Sequence, residues 1–277
     1  MKLKKSVVII VIVALVISCA TNPFTGKKTM ALVPNSQLFP TSFAQYSQFL
    51  NENKVITGTE DAAMISRVGQ RIAVAAERWL SANGHQGYLA DYKWEYKLVD
   101  DETVNAWCMP GGKIVFYTGI LPIAKNEAGV AAIMGHEVAH ALANHGQQRM
   151  SASMLQQLGA VAGNIAIQDE QKRNMFNQAY GVGSQVGVML PFSRAHETEA
   201  DKIGLYLMAI AGYNPDEASL LWERMNANSG GQSTPEILST HPSNDSRIAN
   251  LKSLAPKAKE EAAKFGVTTF RSVTSFR

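Results

Sequence analysis

The chain has 277 residues, 46% of them hydrophobic and only 18% charged, enough to bury the core of one large domain or two small ones and too apolar for wholesale disorder. Its formal charge of +3 resides in Lys2, Lys4 and Lys5; without them the chain is balanced, with 23 residues of each sign. The sequence offers no clustered basic face, so no nucleic-acid partner is expected.

The start, MKLKKSVVIIVIVALVISCA, is a short basic stretch, an apolar run over 7–17 and then Ser18-Cys19. The run is shorter than the roughly 20 residues a membrane-crossing helix needs and has the anatomy of a secretory signal. VISCA resembles a bacterial lipobox, which implies a lipoprotein signal over 1–18 that is cut before Cys19, the residue that then carries the lipid. Ala20, rather than Asp, after the cysteine points by the same resemblance to the outer membrane, facing the periplasm of a bacterial cell envelope. Cys108 is the only other cysteine. It is left without a disulfide partner and is expected to pack as a small apolar residue.

Residues 19–58 read as the lipidated start, a tether and a lead-in, because ATNPFTGKKTMALVPNSQ carries turn formers and no sustained periodicity. The folded domain is expected over 59–277. Apolar residues at helical spacing over 59–83, with Thr59 and Asp61 at the start and Gly84 as a stop, predict a helix. YKWEYKLVD alternates like a strand, and VNAWCMPGGKIVFYTGIL reads as two strands around Pro110-Gly111-Gly112. A continuous helix is predicted over about 126–149. Residues 151–190, rich in Ala, Gly, Gln and Met, read as one or two helices of weak individual stability, placed in sequence to cover a cleft. SRAHETEADKIGLYLMAIAG is the next strong helix, ended by Gly212; another follows with Asn214 as cap and Pro215 at its first position, and then a helical tail. The order predicts an α+β fold, mostly helical with a small sheet.

Of six histidines in the chain, three fall within IMGHEVAHALANH. His136 and His140 are four residues apart, so on a helix they lie within about 40° of one another and reach a common point. Glu137 sits beside them, near enough to act on a water bound there. This is the H-E-x-x-H pattern, two neutral nitrogen donors and an adjacent base. It lies on a small-residue apolar helix, where polar side chains without partners are costly. A catalytic zinc takes a third protein ligand and leaves a fourth position to water. His145 does not suit: the extended pattern needs His at 146 and Gly at 143, where this chain has Gly146 and Ala143. On a continuous helix it also points about 180° from His136, which marks it as a helix-end residue near exposed carbonyls. Glu197 and Asp201, four apart in RAHETEAD, share a helix face: Glu197 can ligate the metal while Asp201 accepts the free N–H of a ligand histidine. Glu199 turns away as a surface charge.

GHEVAHALANH, LPFSRAHETEADKIGL and THPSNDSRI, with NAWCMPGGKIVFYTGIL before them, resemble the HtpX and CAAX-prenyl-protease superfamily of zinc metalloendopeptidases. The likeness is closest to its soluble bacterial lipoprotein members, related to the mitochondrial inner-membrane quality-control peptidase. It implies a zincin-like metallopeptidase built on an active-site helix and a small mixed sheet, with one zinc ion per subunit held by His136, His140 and Glu197. It further implies Glu137 as catalytic base and Asp201 as the residue orienting a ligand. His241, in THPSNDSRI, is the expected donor to the oxyanion; His196, Arg194 and Arg247 are weaker candidates, the arginines more simply structural ion pairs. Asn105, Ala106 and Trp107 are expected on an edge strand that pairs with an extended substrate. Unfolded or misassembled envelope proteins are the implied substrates. The alternatives are a lipid-anchored assembly factor with little proteolysis and a hydrolase of cell-wall peptide crosslinks.

Overall fold

The computed structural model describes residues 19–228, 236–241 and 245–271; the signal segment expected over 1–18 lies outside them. In chain order the elements begin with strands β1 (Cys19–Thr21) and β2 (Lys28–Met30), helix α1 (Asn35–Glu52), strand β3 (Val55–Ile56) and helix α2 (Glu60–Ala82). Strands β4 (Glu95–Val99), β5 (Ala106–Met109) and β6 (Lys113–Tyr117) follow, then the short helix α3 (Leu121–Ala124). The remainder is helical: α4 (Glu127–Leu142), α5 (His145–Ala166), α6 (Glu170–Ser184), a π-helical turn (Gln185–Met189), α7 (Leu190–Ile210), α8 (Asp216–Asn228), α9 (Glu236–Thr240) and α10 (Asp245–Lys264). This is the α+β class expected from the sequence. Contacts divide the chain into two compact units, one drawn from Met1–Leu38 and Asn144–His196, the other from Phe39–Ala143 and Glu197–Arg277.

The larger unit is built on a mixed sheet in the order β3-β4-β6-β5, with β4 and β6 parallel and the other pairs antiparallel. Strand alternation sends its side chains to two faces. Val99, Val115 and Trp107 face α1, whose Tyr46 is buried among them and whose Phe49 meets the Trp107 ring edge-on at 5.0 Å. Leu98, Ile114 and Phe116, all buried, face the other way, where α2 and α4 close the core. The β5–β6 hairpin turns through Gly111 and Gly112 at φ 85° and 89°. A Cβ on these glycines would stand 2.6 Å from the Phe43 ring and 2.7 Å from the Trp94 ring, so backbone and packing both require glycine.

Helix α4 is apolar on every side and buried over 128–142, as befits a central helix. Asn126 caps it, accepting from the Gly129 N–H at 2.8 Å and donating to Glu217 at 3.2 Å. Arg224 in turn donates to Glu217 at 2.7 Å and to the carbonyls of Ile123 and Ala124, tying α8 to the start of α4.

In the smaller unit, β1 and β2 form an antiparallel hairpin with Cys19 opposite Met30. Just beyond it, the Leu32 N–H donates to Ser151 Oγ at 3.1 Å and Gln147 Nε2 donates to the Val33 carbonyl at 2.7 Å, fastening the segment to α5. Helices α5 and α6 pair as a hairpin, with the Tyr180 hydroxyl donating to the Gln156 carbonyl at 3.0 Å and Asn177 to Asn164 at 2.9 Å. None of the residues of α6 is buried.

Three local expectations are corrected. The segment read as a tether holds the β1–β2 hairpin and the start of α1, whose Phe39 and Tyr46 are anchored in the core. The helix predicted over 126–149 is broken: α4 stops at Leu142 and Asn144 takes the left-handed conformation, φ 56°, which asparagine tolerates better than other residues with a Cβ. His145 therefore starts α5 instead of ending α4. It is fully buried and stacks on His196 at 4.0 Å, so it is no exposed helix-end residue.

Candidate metal centre

The two helices that carry the predicted ligands meet through glycines. A Cβ on Gly135 would lie 2.7 Å from the Gly204 carbonyl, and one on Gly204 would lie 2.8 Å from the His136 backbone nitrogen. The backbones of α4 and α7 touch only because both side chains are missing. Glu197, Asp201 and Gly204 fall at positions i, i+4 and i+7 of α7, one face of a helix, so the glycine contact delivers both carboxylates to His136 and His140.

At this junction His136 Nε2 stands 3.1 Å from His140 Nε2 and 3.3 Å from Glu197 Oε2, while His140 Nε2 is 3.3 Å from Glu197 Oε1. His241 Nδ1 joins them, 2.9 Å from Glu197 Oε2 and 3.2 Å from His136 Nε2. The donor atoms of these four residues lie within 4.8 Å of one another. A tetrahedral zinc with bonds of about 2.0–2.1 Å would space its ligands by roughly 3.3 Å. Two imidazole nitrogens aimed at each other across 3.1 Å also need a proton or a cation between them. The donor set and its spacing therefore fit a zinc ion.

A second layer holds these groups. Asp201 Oδ1 lies 3.0 Å from His136 Nδ1, leaving Nε2 to face the other donors. Arg247 grips Asp201 with two bonds, Nη2 to Oδ1 at 2.7 Å and Nε to Oδ2 at 2.9 Å. Its guanidinium lies 3.6 Å from the centre of the Trp222 ring, which shields the fork from water. Glu137 is buried, with His241 Nε2 at 3.5 Å from its Oε1, and that oxygen has no hydrogen-bond partner among the described residues.

Protonation follows from burial and neighbours. Burial opposes a charge on His136, but hydrogen bonds to Asp201 and Glu197 outweigh it and push its pKa up to about 9. Burial drives His140 the other way, well below the usual histidine range, and the His136 charge adds to this. For Glu197, burial favours the acid form, yet hydrogen bonds from His136, His140 and His241 hold it far below the ordinary carboxylate range. Asp201 is likewise lowered: burial is overcome first by the Arg247 charge and then by His136.

The structure thus brings together His136, His140, Glu197, Asp201 and Glu137. His241, expected only as an oxyanion donor, also presents Nδ1 to the other donors; the sequence spacing carried no sign of this, because His241 is remote from both helices. Trp222 and the Gly135–Gly204 contact were not anticipated either, although Gly204 could have been found from its place on the face of Glu197 and Asp201. His196 is buried, stacked on His145 and in tilted contact with Phe192, and Glu199 is half-buried instead of at the surface. Ala106 and Trp107 lie on β5, the edge of the four-stranded sheet, with Asn105 just before them donating to Glu236 at 3.1 Å. The Trp107 ring packs on Tyr46 and Phe49, so on this strand the backbone edge, and not the indole, is what another chain could meet. Cys108 is a free thiol, half-buried, its pKa raised chiefly by burial, and suits the packing role expected of it.

Helix-borne histidines, a distal carboxylate and a small mixed sheet define the zincin class of metallopeptidase fold. Residues 62–255 match the model of peptidase family M48, and the chain belongs to that family. It is 36% identical over 194 residues to the mitochondrial metalloendopeptidase OMA1 of Schizosaccharomyces pombe, covering 68% of this chain and 55% of the relative. Similarity to the Saccharomyces cerevisiae protein of the same name is 37% over 175 residues, covering 61% and 49%. The beta-barrel assembly-enhancing protease of Escherichia coli is 26% identical over 170 residues, covering 58% of this chain and 34% of its own length. The chain spans about half the length, or less, of these relatives.

Proposed function

We propose that this chain is a zinc-dependent metalloendopeptidase that cleaves unfolded or misassembled proteins of the bacterial envelope. The observation that carries the reading is the convergence of His136, His140 and Glu197 beside a buried Glu137 whose Oε1 has no hydrogen-bond partner among the described residues. Those three residues would hold one zinc ion. Bound there, zinc supplies Lewis acidity towards a peptide carbonyl and lowers the pKa of a water to about 7. Glu137 takes the proton of the attacking water and delivers it to the departing amine. His241 Nε2, on the Glu137 side of its ring, donates to the carbonyl oxygen as negative charge grows there. Asp201, held by Arg247, keeps His136 in the tautomer that leaves Nε2 free to bind metal. The edge of β5 aligns an extended substrate by backbone pairing at Asn105, Ala106 and Trp107, which suits broad specificity. Cys19 carries the lipid that anchors the protein to the outer membrane, and the catalytic domain expected over 59–277 extends back to include α1, whose Phe39 and Tyr46 are part of its core. The likeness to a protease named for β-barrel assembly supports envelope proteins as substrates.

One observation favours a second reading. His241 Nδ1 sits within the donor set, and four protein ligands are the mark of a closed, structural zinc site. The protein would then be a lipid-anchored assembly factor that seldom cuts. Glu137 speaks against this, since a structural site needs no base. Casein hydrolysis and zinc content, measured together on Glu137→Gln and His241→Ala, separate the two. The peptidase reading expects Glu137→Gln to keep about one zinc and lose at least about a hundredfold in rate, and His241→Ala to keep its zinc as well. Parent and Glu137→Gln cutting at equal rates would remove the mechanism, and loss of zinc from His241→Ala would make that histidine a ligand.

A further inference from the structure

Among the described residues, most of the large apolar side chains left exposed lie between residues 150 and 190; Val74 and Leu220 stand apart from them. Met150, Met154, Leu158, Val161 and Ile165 are 41%, 42%, 61%, 54% and 75% exposed. They recur every three or four residues and form a single stripe along α5. The stripe lies opposite Gly159 and Gly163, the positions where α5 meets Tyr180 and Phe176 of α6. On α6, Met175 and Val182 are also about two-thirds exposed. The hairpin therefore turns apolar groups outward from both helices, whereas exposed apolar surface of this extent marks a place of contact.

Charge says what kind of contact. Between residues 150 and 193 the charged side chains are Asp169, Glu170, Lys172 and Arg173, all around the hairpin tip and balanced in sign. The runs on either side, 18 residues over 151–168 and 20 over 174–193, carry none. A protein groove is rimmed by polar and charged groups and would be met by complementary ones; the charges of these helices lie near their first turns, and the long runs beyond them offer none. Small residues where the helices touch, Gly159 and Gly163 four apart, are the packing found between helices in lipid. The chain start adds a second argument. Cys19 is paired with Met30 in the β1–β2 hairpin, and two residues on, Leu32 is bonded to Ser151, where the uncharged run begins. Whatever holds Cys19 at a membrane holds the base of the α5–α6 hairpin there too.

We propose that the α5–α6 hairpin lies in the interfacial layer of a phospholipid membrane, its outward apolar side chains among the acyl chains. This rests on the anchoring at Cys19 proposed above. No helix among the described residues is long and apolar enough to cross a membrane, so the hairpin lies in the surface and does not span. With no net charge at its tip, its binding comes from apolar area and is indifferent to salt.

The test uses the chain from residue 19 with Cys19→Ser, which carries neither signal nor lipid, floated with vesicles of phosphatidylethanolamine and phosphatidylglycerol. The parent floats with the vesicles at low and high salt alike. Leu158→Glu with Val161→Glu and Ile165→Glu lowers the bound fraction by about tenfold or more, with unchanged thermal unfolding and casein hydrolysis. A parent that stays in the soluble fraction overturns the proposal, as does a triple variant that floats like its parent. Self-association of the parent without vesicles, abolished by the same substitutions, also overturns it and assigns the stripe to a second copy of the chain. Faster casein hydrolysis by the variant with flotation intact overturns it in favour of a cover over the site. The mass of Cys19 in the full chain from membranes decides the anchor separately: an unmodified thiol ends the lipid reading, and the flotation result still decides the hairpin.

Discussion

Helix α4 and the hairpin of α5 and α6 draw on the same small and aliphatic residues and carry few charges, yet α4 is buried over 128–142 while α6 buries nothing. The polar side chains follow opposite logic. In the hairpin they are spent on pairing the two helices, Asn164 with Asn177 and Gln156 with Ser184, and the apolar residues are turned out. In α4 the polar residues are the buried exception. His136, Glu137 and His140 sit where desolvation is expensive; Glu197 and Asp201 meet the two histidines, while Glu137 Oε1 has no hydrogen-bond partner among the described residues. An apolar helix with buried polar side chains is thus the place to seek chemistry, and one with exposed apolar side chains the place to seek a surface partner.

The sharpest way to break this contrast is to loosen what holds the buried polar groups. Asp201→Asn removes the charge that faces Arg247 and the strong acceptor of the His136 Nδ1 proton. Zinc affinity, measured by competition with a chelator, is expected to fall by about 10- to 100-fold. Arg247→Lys, which keeps the charge but loses the fork, moves it the same way by less. Unchanged affinity in Asp201→Asn would mean that His136 is oriented without it.

Packing gives the next effect. Gly204→Ala places a methyl 2.8 Å from the His136 backbone nitrogen and drives α4 and α7 apart. Denaturant unfolding should show a loss of about 1–3 kcal/mol. Leu158→Ala, on the exposed stripe, should stay within about 0.5 kcal/mol of the parent in the same assay. Similar costs at the two positions would erase the distinction between the buried helix and the exposed hairpin.

What was legible in the sequence divides along the same line. The ligand pattern was readable because spacing on one helix fixes direction: residues four apart share a face, so His136 with His140 and Glu197 with Asp201 could be paired without coordinates. Strands β4, β5 and β6, the Pro110-Gly111-Gly112 turn and helix α2 declared themselves by period and punctuation, whereas β1, β2 and β3 did not. Helix α1 did not, although Phe39, Phe43, Tyr46 and Leu50 recur at helical spacing, because Pro40 and the polar run before it imitate a linker. The break at Asn144 was hidden by His145, Gln147 and Gln148, which continue a helical pattern across it. His241 beside Glu197 and the ring of Trp222 on Arg247 depend on where α8 and the segment near α9 return in space, and no local period encodes that.

The mildest expected effect concerns the one acid of α4 outside its buried core. Glu127 opens the helix and meets Arg67 at 3.0 Å, Arg71 at 2.7 Å and the Tyr213 hydroxyl at 2.7 Å. Partial burial would raise its pKa, but the hydrogen bonds from Arg67 and Tyr213 and the two arginine charges prevail and leave it below the ordinary glutamate value. A carboxylate with a lowered folded pKa contributes stability that is complete above its unfolded pKa, near 4.3, and is lost as the pH falls through the folded value. Glu127→Gln removes that contribution. With the side chain 30% exposed, solvent screens the pair, and the loss at neutral pH should be about 1 kcal/mol. The signature is the shape of the curve. Stability of the parent should fall more steeply below about pH 4.3 than that of Glu127→Gln, and the two should converge in acid. A constant gap at every pH would show that Glu127 acts by packing and not by charge, and would leave α4 without an electrostatic hold on α2 at its first turn.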